Sequence, residues 1–568
     1  MSGVLAALGI RDARRVVERA AVPMLRREWH RLDLADGTPE DVALAYAGET
    51  GGTCRDPVSG AVCAFDGELV TETGVVSGTD AAGMLLSAWQ QAKSSFTPPE
   101  GSFAACIWDP PGERLIAVTD RFGRVPLYWT RHQGGVLVAG ELKGLIAAGV
   151  QPRIDLQAWA ELLAFEHLFT GTPLEGAQRV AGGNVVRLDR KGEESEERYW
   201  RFELEPAALE DEGTWVASFR DRLEASVARS LTPDAVLGLS GGLDSRCAAV
   251  AAVAQRLFPA TVTYGAHGSI DLELGEDVGR RTGLSNRLLV LEPGYLARGA
   301  TETVWLSEGH IRCLHAHHLV LRALRSAADC RSILMGFSGD WGVRTGNATY
   351  LFENPDVETV YRARANCIDD ELRERLLAPA FAAELRDRAR AGFVAAFERE
   401  TGPPGHRFHQ LVYNALPVKI WPGAQLFKDD LAGRDPYGDY AVIDFLQRLP
   451  HELRRDGRLQ RAYLRAFSDL GGLPDAKDSV RRSLARRLGR RRNRGTLGDY
   501  GTDLDGPSRP LLDVLLEDRT FERGQLRRQE VRAFVERGDS RRTRALGMLL
   551  TFELFQRQFV DGDGFART

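Results

Sequence analysis

The sequence is poor in the features that mark membrane, secreted and nucleic-acid-binding proteins. None of its apolar runs approaches the roughly 18 residues that a membrane-spanning helix needs, and residues 1–10 lack the basic start of a signal peptide. Its seven cysteines form no CxxC pair, which argues against a zinc ribbon and a disulfide framework. A net charge of -5 with 43% hydrophobic residues is typical of an ordinary globular protein. We therefore expect a cytoplasmic protein with neither a nucleic acid nor a membrane as partner.

The length of the chain indicates more than one domain. Its 568 residues exceed what one hydrophobic core usually supports, so two domains are expected. Residues 1–205 are rich in short strand-like runs, with one helical segment at 81–93. In residues 206–568 helix-like and strand-like runs alternate, as a parallel sheet with crossover helices requires. The polar, acidic stretch at 203–212 is interpreted as the linker.

A glycine-containing turn near the middle of the chain carries the clearest chemical signal. It joins a short apolar run to an Ala/Val-rich helix-like run, so its backbone N–H groups, two serine hydroxyls and a helix N-terminus would converge on one anion. A carboxylate beside that anion needs a bridging cation, so we predict that Asp244 binds Mg²⁺. The alternative is a structural turn of an α/β domain. The residues expected to hold the phosphates are Leu239, Ser240, Gly241, Gly242, Asp244 and Ser245.

The Ser-Gly-Gly-x-Asp-Ser string of this turn resembles the pyrophosphate loop of enzymes that cleave ATP to AMP and pyrophosphate while they adenylate a carboxylate or carbonyl oxygen. Three blocks, at 101–109, 120–128 and 139–143, are similar in order and spacing to the glutaminase domain of asparagine synthetases. The resemblance implies an α/β and α+β protein. An αββα sandwich like that of the N-terminal-nucleophile hydrolases would precede an α/β synthetase domain of the PP-loop ATP pyrophosphatase (adenine nucleotide alpha hydrolase-like) type. It also implies ATP and Mg²⁺ as cofactors.

The resemblance fails at the residues that hydrolyse glutamine. The family's nucleophile is an N-terminal cysteine exposed after removal of the first methionine, and Ser2 stands there in this chain. The family's Asn-Gly-Glu block, whose asparagine donates to the oxyanion, begins here with Asp66, and a carboxylate would repel the transition state. No arginine around residues 42–49 matches the one that binds the glutamine carboxylate. We therefore predict that glutaminase activity is lost, with Ser2, Asp66 and Asp80 as its remnants.

Two further places in the synthetase domain match the family's nucleotide and metal site. The dipeptide Tyr264-Gly265 ends a predicted strand where open parallel sheets bind nucleotides and where family members contact adenine. The tripeptide Ser338-Gly339-Asp340 matches the family's Ser-Gly-Glu loop. Asp340 could hold Mg²⁺ together with Asp244, or accept a proton from the attacking amine, and both roles stay open. In β-lactam-forming relatives this position carries a tyrosine, which argues against that specificity.

The C-terminal part of the chain offers candidates for catalytic cations. Arg434 lies in a block, 433–439, that matches the family where the synthetases recognise their aspartyl substrate. The family's catalytic lysine, which neutralises charge on the phosphates, has no counterpart in register, so Lys477 and Arg481 are the candidates for that role. An arginine-rich run at 481–494 is either a solvated basic segment or a contact surface for pyrophosphate or an acidic peptide. The predicted catalytic residues are Asp340, Arg434, Lys477 and Arg481.

Two clusters rich in histidine and aromatic residues allow two interpretations each. The run 310–318 holds four histidines and one cysteine, and it is either a transition-metal site or a packed, substrate-lining helix. We favour the helix, because the relatives need only Mg²⁺ held by oxygen. The second cluster suits either a peptide-sized pocket or a helix core. Its members are His406, His409, Tyr413, Trp421 and Phe427.

Loss of the ammonia source means that the amine must come with the substrate. Relatives with that profile are the β-lactam synthetases, the carbapenam synthetase and the lasso peptide cyclases, which close an amide ring within one molecule. The chain most resembles a lasso peptide cyclase, which implies adenylation of an Asp or Glu side chain of a precursor core peptide and attack by the peptide's N-terminal amine. A leader peptidase and a leader-binding protein are the implied partners. The alternatives are a small-molecule amide ligase, such as a β-lactam synthetase or an asparagine synthetase, and a catalytically inactive scaffold.

Overall fold

The computed structural model describes residues 3–92, 96–169, 171–328, 330–339, 342–343, 353–415, 419–473, 500–536 and 542–567. Across these ranges no helix combines the length and the apolar character needed to cross a bilayer. All seven cysteines carry free thiols, and six of them are buried.

The N-terminal half of the chain forms two antiparallel sheets. In chain order its strands are β1 Gly3–Leu8, β2 Arg31–Leu34, β3 Val42–Gly48, β4 Gly52–Arg55, β5 Val62–Thr71, β6 Gly74–Ser77, β7 Gly101–Asp109, β8 Arg114–Thr119, β9 Tyr128–His132, β10 Gly135–Ala139, β11 Gln178–Arg179, β12 Asn184–Asp189 and β13 Gly192–Arg198. One sheet has the order β11-β9-β10-β1-β3-β2, and the other has the order β13-β12-β8-β7-β5-β4 with β6 paired to β5.

The two sheets pack face to face, and helices cover their outer faces. Every residue of β1 and β3 is buried, because one face meets the second sheet and the other meets α1 (Ala13–Ala21) and α3 (Leu142–Ala147). The second sheet is covered by α2 (Gly78–Ala92). The predicted αββα sandwich is confirmed. The helix predicted at 81–93 is α2, whereas β1 and β3, apolar on both faces, were not predicted.

A five-stranded parallel sheet forms the centre of the C-terminal half. Its strands are β14 Ala235–Gly238, β15 Thr261–Ala266, β16 Asn286–Leu291, β17 Ser332–Leu334 and β18 Ala432–Arg434, in the order β16-β15-β14-β17-β18. The first helices of this half are α5 Glu212–Ser230, α6 Leu243–Ala254, α7 Ile270–Thr282 and α8 Tyr295–Ser307. The chain leaves β14 toward β15 on one side and returns to β17 on the other, which opens a crevice at the carboxyl end of β14. The predicted α/β synthetase fold is confirmed.

Many of the remaining helices build a large apolar core together with α4 (Leu156–Phe165) of the N-terminal half, and the others pack in the core of the parallel sheet. The fully buried Trp159 of α4 packs against Phe552 and Phe555, with ring centroids 4.8 and 5.2 Å apart. The two halves therefore share a core, and the boundary at residues 205/206 stays a prediction. The helices are α9 His318–Leu321, α10 Ala323–Ala328, α11 Val357–Arg364, α12 Asp370–Leu376, α13 Pro379–Leu385, α14 Arg388–Glu398, α15 Pro404–Asn414, α16 Trp421–Gln425, α17 Tyr440–Arg448, α18 His451–Arg454, α19 Arg458–Phe467, α20 Tyr500–Asp505, α21 Asp518–Glu522, α22 Arg528–Glu536 and α23 Arg542–Phe555.

A buried charge network joins the halves at the family-like block 139–143. The fully buried Lys143 places its Nζ 2.7 Å from Glu141 Oε2 and 2.9 Å from Glu308 Oε1. The Glu308 carboxylate also accepts hydrogen bonds from the backbone N–H groups of Leu142 and Lys143. Burial alone would raise the pKa of Glu141, but Arg26 and Lys143 hold that pKa well below its ordinary value. This block therefore fixes the position of the C-terminal half against the sandwich.

Candidate active site

The predicted phosphate turn lies at the carboxyl end of β14, the central strand of the parallel sheet. Helix α6 follows it, with Gly242 as the N-cap residue. The hydroxyl of Ser245 donates to the backbone oxygen of Ser240 at 2.8 Å and accepts from the Ser240 N–H at 3.1 Å, which closes the turn. A Cβ on Gly241 would lie 2.5 Å from the Leu274 side chain, so close packing requires glycine there.

This turn has the properties of a phosphate site. Among the described residues no side chain caps the N-terminus of α6, so its first backbone N–H groups can donate to a ligand. The helix has 12 residues, and its dipole favours an anion at that end. Ser240, Gly242 and Asp244 are partly exposed, whereas Leu239 is buried beneath them. The residues present therefore fit the phosphates of a nucleotide.

Asp244 faces the loop that follows β17. A Cβ on Gly339 would lie 2.6 Å from Asp244 Oδ1, so this loop passes directly against the carboxylate. Gln460 of α19 donates through Nε2 to Asp244 Oδ1 at 2.6 Å, and the Tyr437 hydroxyl donates to the Asp244 backbone oxygen at 2.9 Å. The structure thus brings the phosphate turn and the Ser338-Gly339 loop together, as the sequence predicted. The structure also shows Gln460 at this site, a residue that no local sequence pattern indicates.

Four residues singled out in the sequence lie outside the described residues. They are Ser2, Asp340, Lys477 and Arg481. The predicted pairing of Asp340 with Asp244 at Mg²⁺, and the replacement of the family's lysine by Lys477 or Arg481, stay predictions.

Tyr264 and Gly265 lie near the carboxyl end of β15, the strand beside β14. The Tyr264 ring stacks on the His317 ring, with centroids 5.6 Å apart and an interplanar angle of 13°. Burial raises the pKa of the Tyr264 hydroxyl and lowers that of His317 to about 3, so both rings are neutral. They form an aromatic wall at the edge where adenine contact was predicted.

Asp435 is a functional candidate that the sequence reasoning missed. Its Oδ2 accepts the backbone N–H of Ser338 at 3.1 Å, and its Oδ1 accepts that of Tyr437 at 3.1 Å. Burial raises its pKa from 3.8 to about 6, although Ser338 and Arg124 oppose the shift. This carboxyl holds the loop that faces Asp244. The sequence feature that could have identified Asp435 is its position at the end of β18, directly before Pro436.

Arg434 lies at the interface between the two halves. Its guanidinium forms a bidentate ion pair with Glu68 of β5, at 2.9 Å from Nε and 2.6 Å from Nη2, and Nη1 donates to Ser230 and Thr232. The structure does not bring this guanidinium to the phosphate turn. Its predicted catalytic role stays a prediction, and its observed role is to join β18 to the sandwich.

Ion pairs join the block that resembles the family's glutaminase site to the C-terminal half. Asp66, which the resemblance places at the family's oxyanion asparagine, is 0% exposed and accepts a hydrogen bond from Lys428 Nζ. Asp80 is exposed in the first turn of α2. Two further ion pairs, Glu68–Arg434 and Glu49–Arg325, line a cavity of 340 Å³ together with Lys428.

The histidines of the run 310–318 are packed and do not converge. His310 donates through Nδ1 to the Ser307 backbone oxygen at 2.9 Å, and His318 Nε2 lies 3.3 Å from Glu302 Oε2. The thiol of Cys313 is buried against Gly547. Within the described ranges no group of three or more His, Cys, Asp or Glu side chains is arranged to hold a metal ion. The run is packed, as the favoured interpretation expected, but it is not a helix, because residues 308–317 form turns and bends and α9 begins only at His318.

Comparisons with known proteins agree with this geometry. Residues 218–557 match the family model described as asparagine synthase, and residues 68–200 match a glutamine amidotransferase domain. The chain is 27% identical over 270 residues to amidase chry2 of Gibberella zeae, covering 42% of this chain and 39% of that protein. It is 26% identical over 212 residues to glutamine-hydrolysing asparagine synthetase 1 of Bacillus subtilis, covering 36% and 33%. It is 31% identical over 262 residues to carboxyethyl-arginine beta-lactam-synthase of Streptomyces clavuligerus, covering 43% and 47%. Each match thus spans less than half of the relative's length.

The Asp66–Lys428 pair predicts a specific pattern of stability. Replacing Lys428 by Met leaves the buried Asp66 carboxylate without its lysine, and we expect a loss of about 3 kcal/mol or more in the free energy of unfolding. The double variant Lys428→Met/Asp66→Asn removes the buried charge and should regain most of that loss. Urea unfolding midpoints of the wild type, both single variants and the double variant measure the coupling. Additive effects in this cycle would contradict the assigned pair.

Asp435 predicts a pH dependence of stability. Its pKa is about 6 in the fold against an ordinary 3.8, so the folded state binds the proton more tightly than the unfolded state. That stabilisation is complete below pH 3.8 and is lost as the pH rises through 6. The non-titrating variant Asp435→Asn should therefore gain up to about 3 kcal/mol relative to the wild type between pH 4 and pH 7. Denaturation of both proteins at pH 4 and pH 7 measures this difference in the free energy of unfolding. A difference between variant and wild type that is the same at both pH values would contradict the raised pKa of Asp435.

Proposed function

Because the chain belongs to the asparagine synthase family, we propose that it is an ATP-dependent ligase that adenylates a carboxylate and joins it to an amine carried by the same substrate. One observation carries this proposal. The chain combines a complete phosphate turn with a sandwich in which Asp66, bound to Lys428, stands where the family's oxyanion-binding asparagine is expected. A site that keeps the ATP chemistry but lacks the donor for glutamine hydrolysis must receive its amine from elsewhere.

The proposed reaction has two steps at the phosphate turn. A carboxylate oxygen of the substrate attacks the α-phosphorus of ATP, and pyrophosphate leaves. The substrate amine then attacks the acyl carbon, loses a proton, and displaces AMP, so one amide forms for each ATP cleaved. The N–H groups at the start of α6 and the Ser240 hydroxyl would bind the phosphates. Asp244, oriented by Gln460, would hold Mg²⁺, which when bound neutralises the charge of the departing pyrophosphate.

We favour a leader-free precursor peptide as the substrate, as in a lasso peptide cyclase. An Asp or Glu side chain would be adenylated, and the N-terminal amine of the same peptide would close a macrolactam. A leader peptidase and a leader-binding protein would supply that peptide. Support comes from the position of Asp66 and from a cavity of 390 Å³ that residues of both halves line.

A small-molecule amide ligase is the second candidate. The 31% identity to a protein named carboxyethyl-arginine beta-lactam-synthase favours it, since that match covers 43% of this chain. An asparagine synthetase supplied with free ammonia belongs to the same class. The two candidates differ in substrate size and not in the use of ATP.

The proposed function predicts AMP release that depends on Asp244 and on the correct acceptor. Purified protein with Mg²⁺-ATP is given either the candidate core peptide or aspartate plus ammonium, and AMP, pyrophosphate and peptide mass are followed. We expect AMP only with the peptide, together with the loss of one water from the peptide mass. The variant Asp244→Ala should lower AMP release by about a hundredfold or more. The matched control is Asp221→Ala, which removes an exposed carboxylate from α5.

Other outcomes would contradict parts of the proposal. Turnover with aspartate and ammonium, but not with peptide, would remove the cyclase assignment and leave an asparagine-forming ligase. No AMP with any acceptor, from a protein that unfolds cooperatively, would favour an inactive scaffold. Equal activity of Asp244→Ala and Asp221→Ala would show that the phosphate turn has been misassigned.

A further inference from the structure

A cavity of 390 Å³ lies between the two halves, beside the candidate active site. One wall is the segment 165–169 that follows α4, and another is the segment 311–315 after α8. The third is formed by α11, α14 and α15, which contribute Val360, Phe393 and Phe408. Its volume is within the range of about 300–1,000 Å³ that small ligands occupy, so it can take one or two residues of a larger substrate.

The wall of this cavity combines aromatic rings with an excess of positive charge. Phe165 stacks on Phe393 with ring centroids 5.7 Å apart, and Phe169 meets Phe393 edge-on at 5.4 Å. Among the described residues that line the cavity, four are cationic and one, Glu166, carries a carboxylate. Glu166 already accepts hydrogen bonds from two of these cations, including Arg544 Nε at 2.8 Å. The four cationic residues are Arg312, Arg364, Lys419 and Arg544.

His167 indicates that the cavity is built for a polar ligand. It is 8% exposed, and its Nδ1 has no hydrogen-bond partner in the described part of the chain. A buried polar atom without a partner costs stability unless a ligand or water satisfies it. Burial, together with Lys419 and Arg364, holds the pKa of His167 well below its ordinary value. The imidazole is therefore neutral, and its Nδ1 can bond to a ligand group that the two cations attract.

Rings connect the cavity to the nucleotide edge of the sheet. His315 lines the cavity, and its ring centroid is 6.2 Å from that of His317, which stacks on Tyr264. On the opposite side Ile420 lines the cavity, and the next residue, Trp421, packs at 5.2 Å against Phe337 of the Ser338 loop. These ring contacts place the cavity next to the edge of the sheet to which the reacting carboxylate is assigned.

We propose that this cavity binds the distal end of the acyl substrate, as a carboxylate on a residue with an aromatic side chain, while the reacting carboxylate lies at the phosphate turn. The inference rests on the proposed function and specifies its substrate class. Arg364 and Lys419 would attract the carboxylate, His167 would bond to it, and the phenylalanines would pack on the ring. A peptide is long enough to occupy the phosphate turn and the cavity at once, whereas free aspartate can occupy only the phosphate turn.

Binding of a small probe tests the site independently of catalysis. Isothermal titration of the full-length protein with N-acetyl-L-phenylalanine, and with its uncharged amide, needs neither ATP nor turnover. We expect the acid to bind about tenfold more tightly than the amide, since only the acid forms charge-assisted hydrogen bonds. The variant Arg364→Gln should weaken binding of the acid by about tenfold and leave the amide unchanged. The matched control is Arg362→Gln, two residues away on α11, where the arginine is exposed and paired with Glu358.

Catalytic assays separate this proposal from the proposed function. With the core peptide, Arg364→Gln should raise the KM for peptide and leave the KM for ATP unchanged, and N-acetyl-L-phenylalanine should compete with the peptide. Equal affinities for acid and amide in the wild type would overturn the site, and so would equal effects of Arg364→Gln and Arg362→Gln. If Arg364→Gln does not fold, the variant Lys419→Gln is used in its place. The comparison of acid and amide affinities in the wild type tests the site without any variant. Peptide cyclisation without probe binding would overturn the site alone.

Discussion

The approach of two glycine-containing turns at the carboxyl edge of the parallel sheet is the constraint on which the candidate site depends. A Cβ on Gly339 would strike the carboxylate of Asp244, so a larger residue there would push the two turns apart. A Cβ on Gly241 would strike Leu274 of α7, so a larger residue there would displace the phosphate turn from that helix. The parallel register of β14 with β17 sets this approach, and Asp435 at the end of β18 anchors the second turn through Ser338. The start of α6, which no described side chain caps, thereby lies against the Ser338-Gly339 loop.

The sandwich half contributes to this arrangement through charge. Lys143, Arg434 and Lys428 are ion-paired across the interface between the halves, and the carboxylates they meet are largely buried. Such pairs add little net stability compared with an apolar interface, but breaking one leaves a buried charge, so they fix relative position. Asp66 and Glu68, in the block that resembles the family's glutaminase site, therefore hold the synthetase half in place through Lys428 and Arg434.

The sequence predicted what depends on local pattern. Short strand-like runs indicated a β-rich N-terminal half, and the Ser-Gly-Gly-x-Asp-Ser string located the phosphate turn, because both are encoded within a dozen consecutive residues. It did not predict β1 and β3, which are buried on both faces and lack alternation. Nor could it pair Lys428 with Asp66 or Gln460 with Asp244, because these partners are more than 200 residues apart in the chain. Only the assembled fold brings them together.

The most direct test of this account is to determine which molecule supplies the amine nitrogen of the product. The protein is given Mg²⁺-ATP, the acceptor that supports AMP release, and glutamine labelled with ¹⁵N in its amide, and glutamate and product mass are measured. The account predicts no glutamate above the protein-free blank and no ¹⁵N in the product, since the amine belongs to the substrate. Glutamate released in proportion to AMP, with one ¹⁵N in each product molecule, would show that the sandwich half is an active glutaminase and would contradict the account.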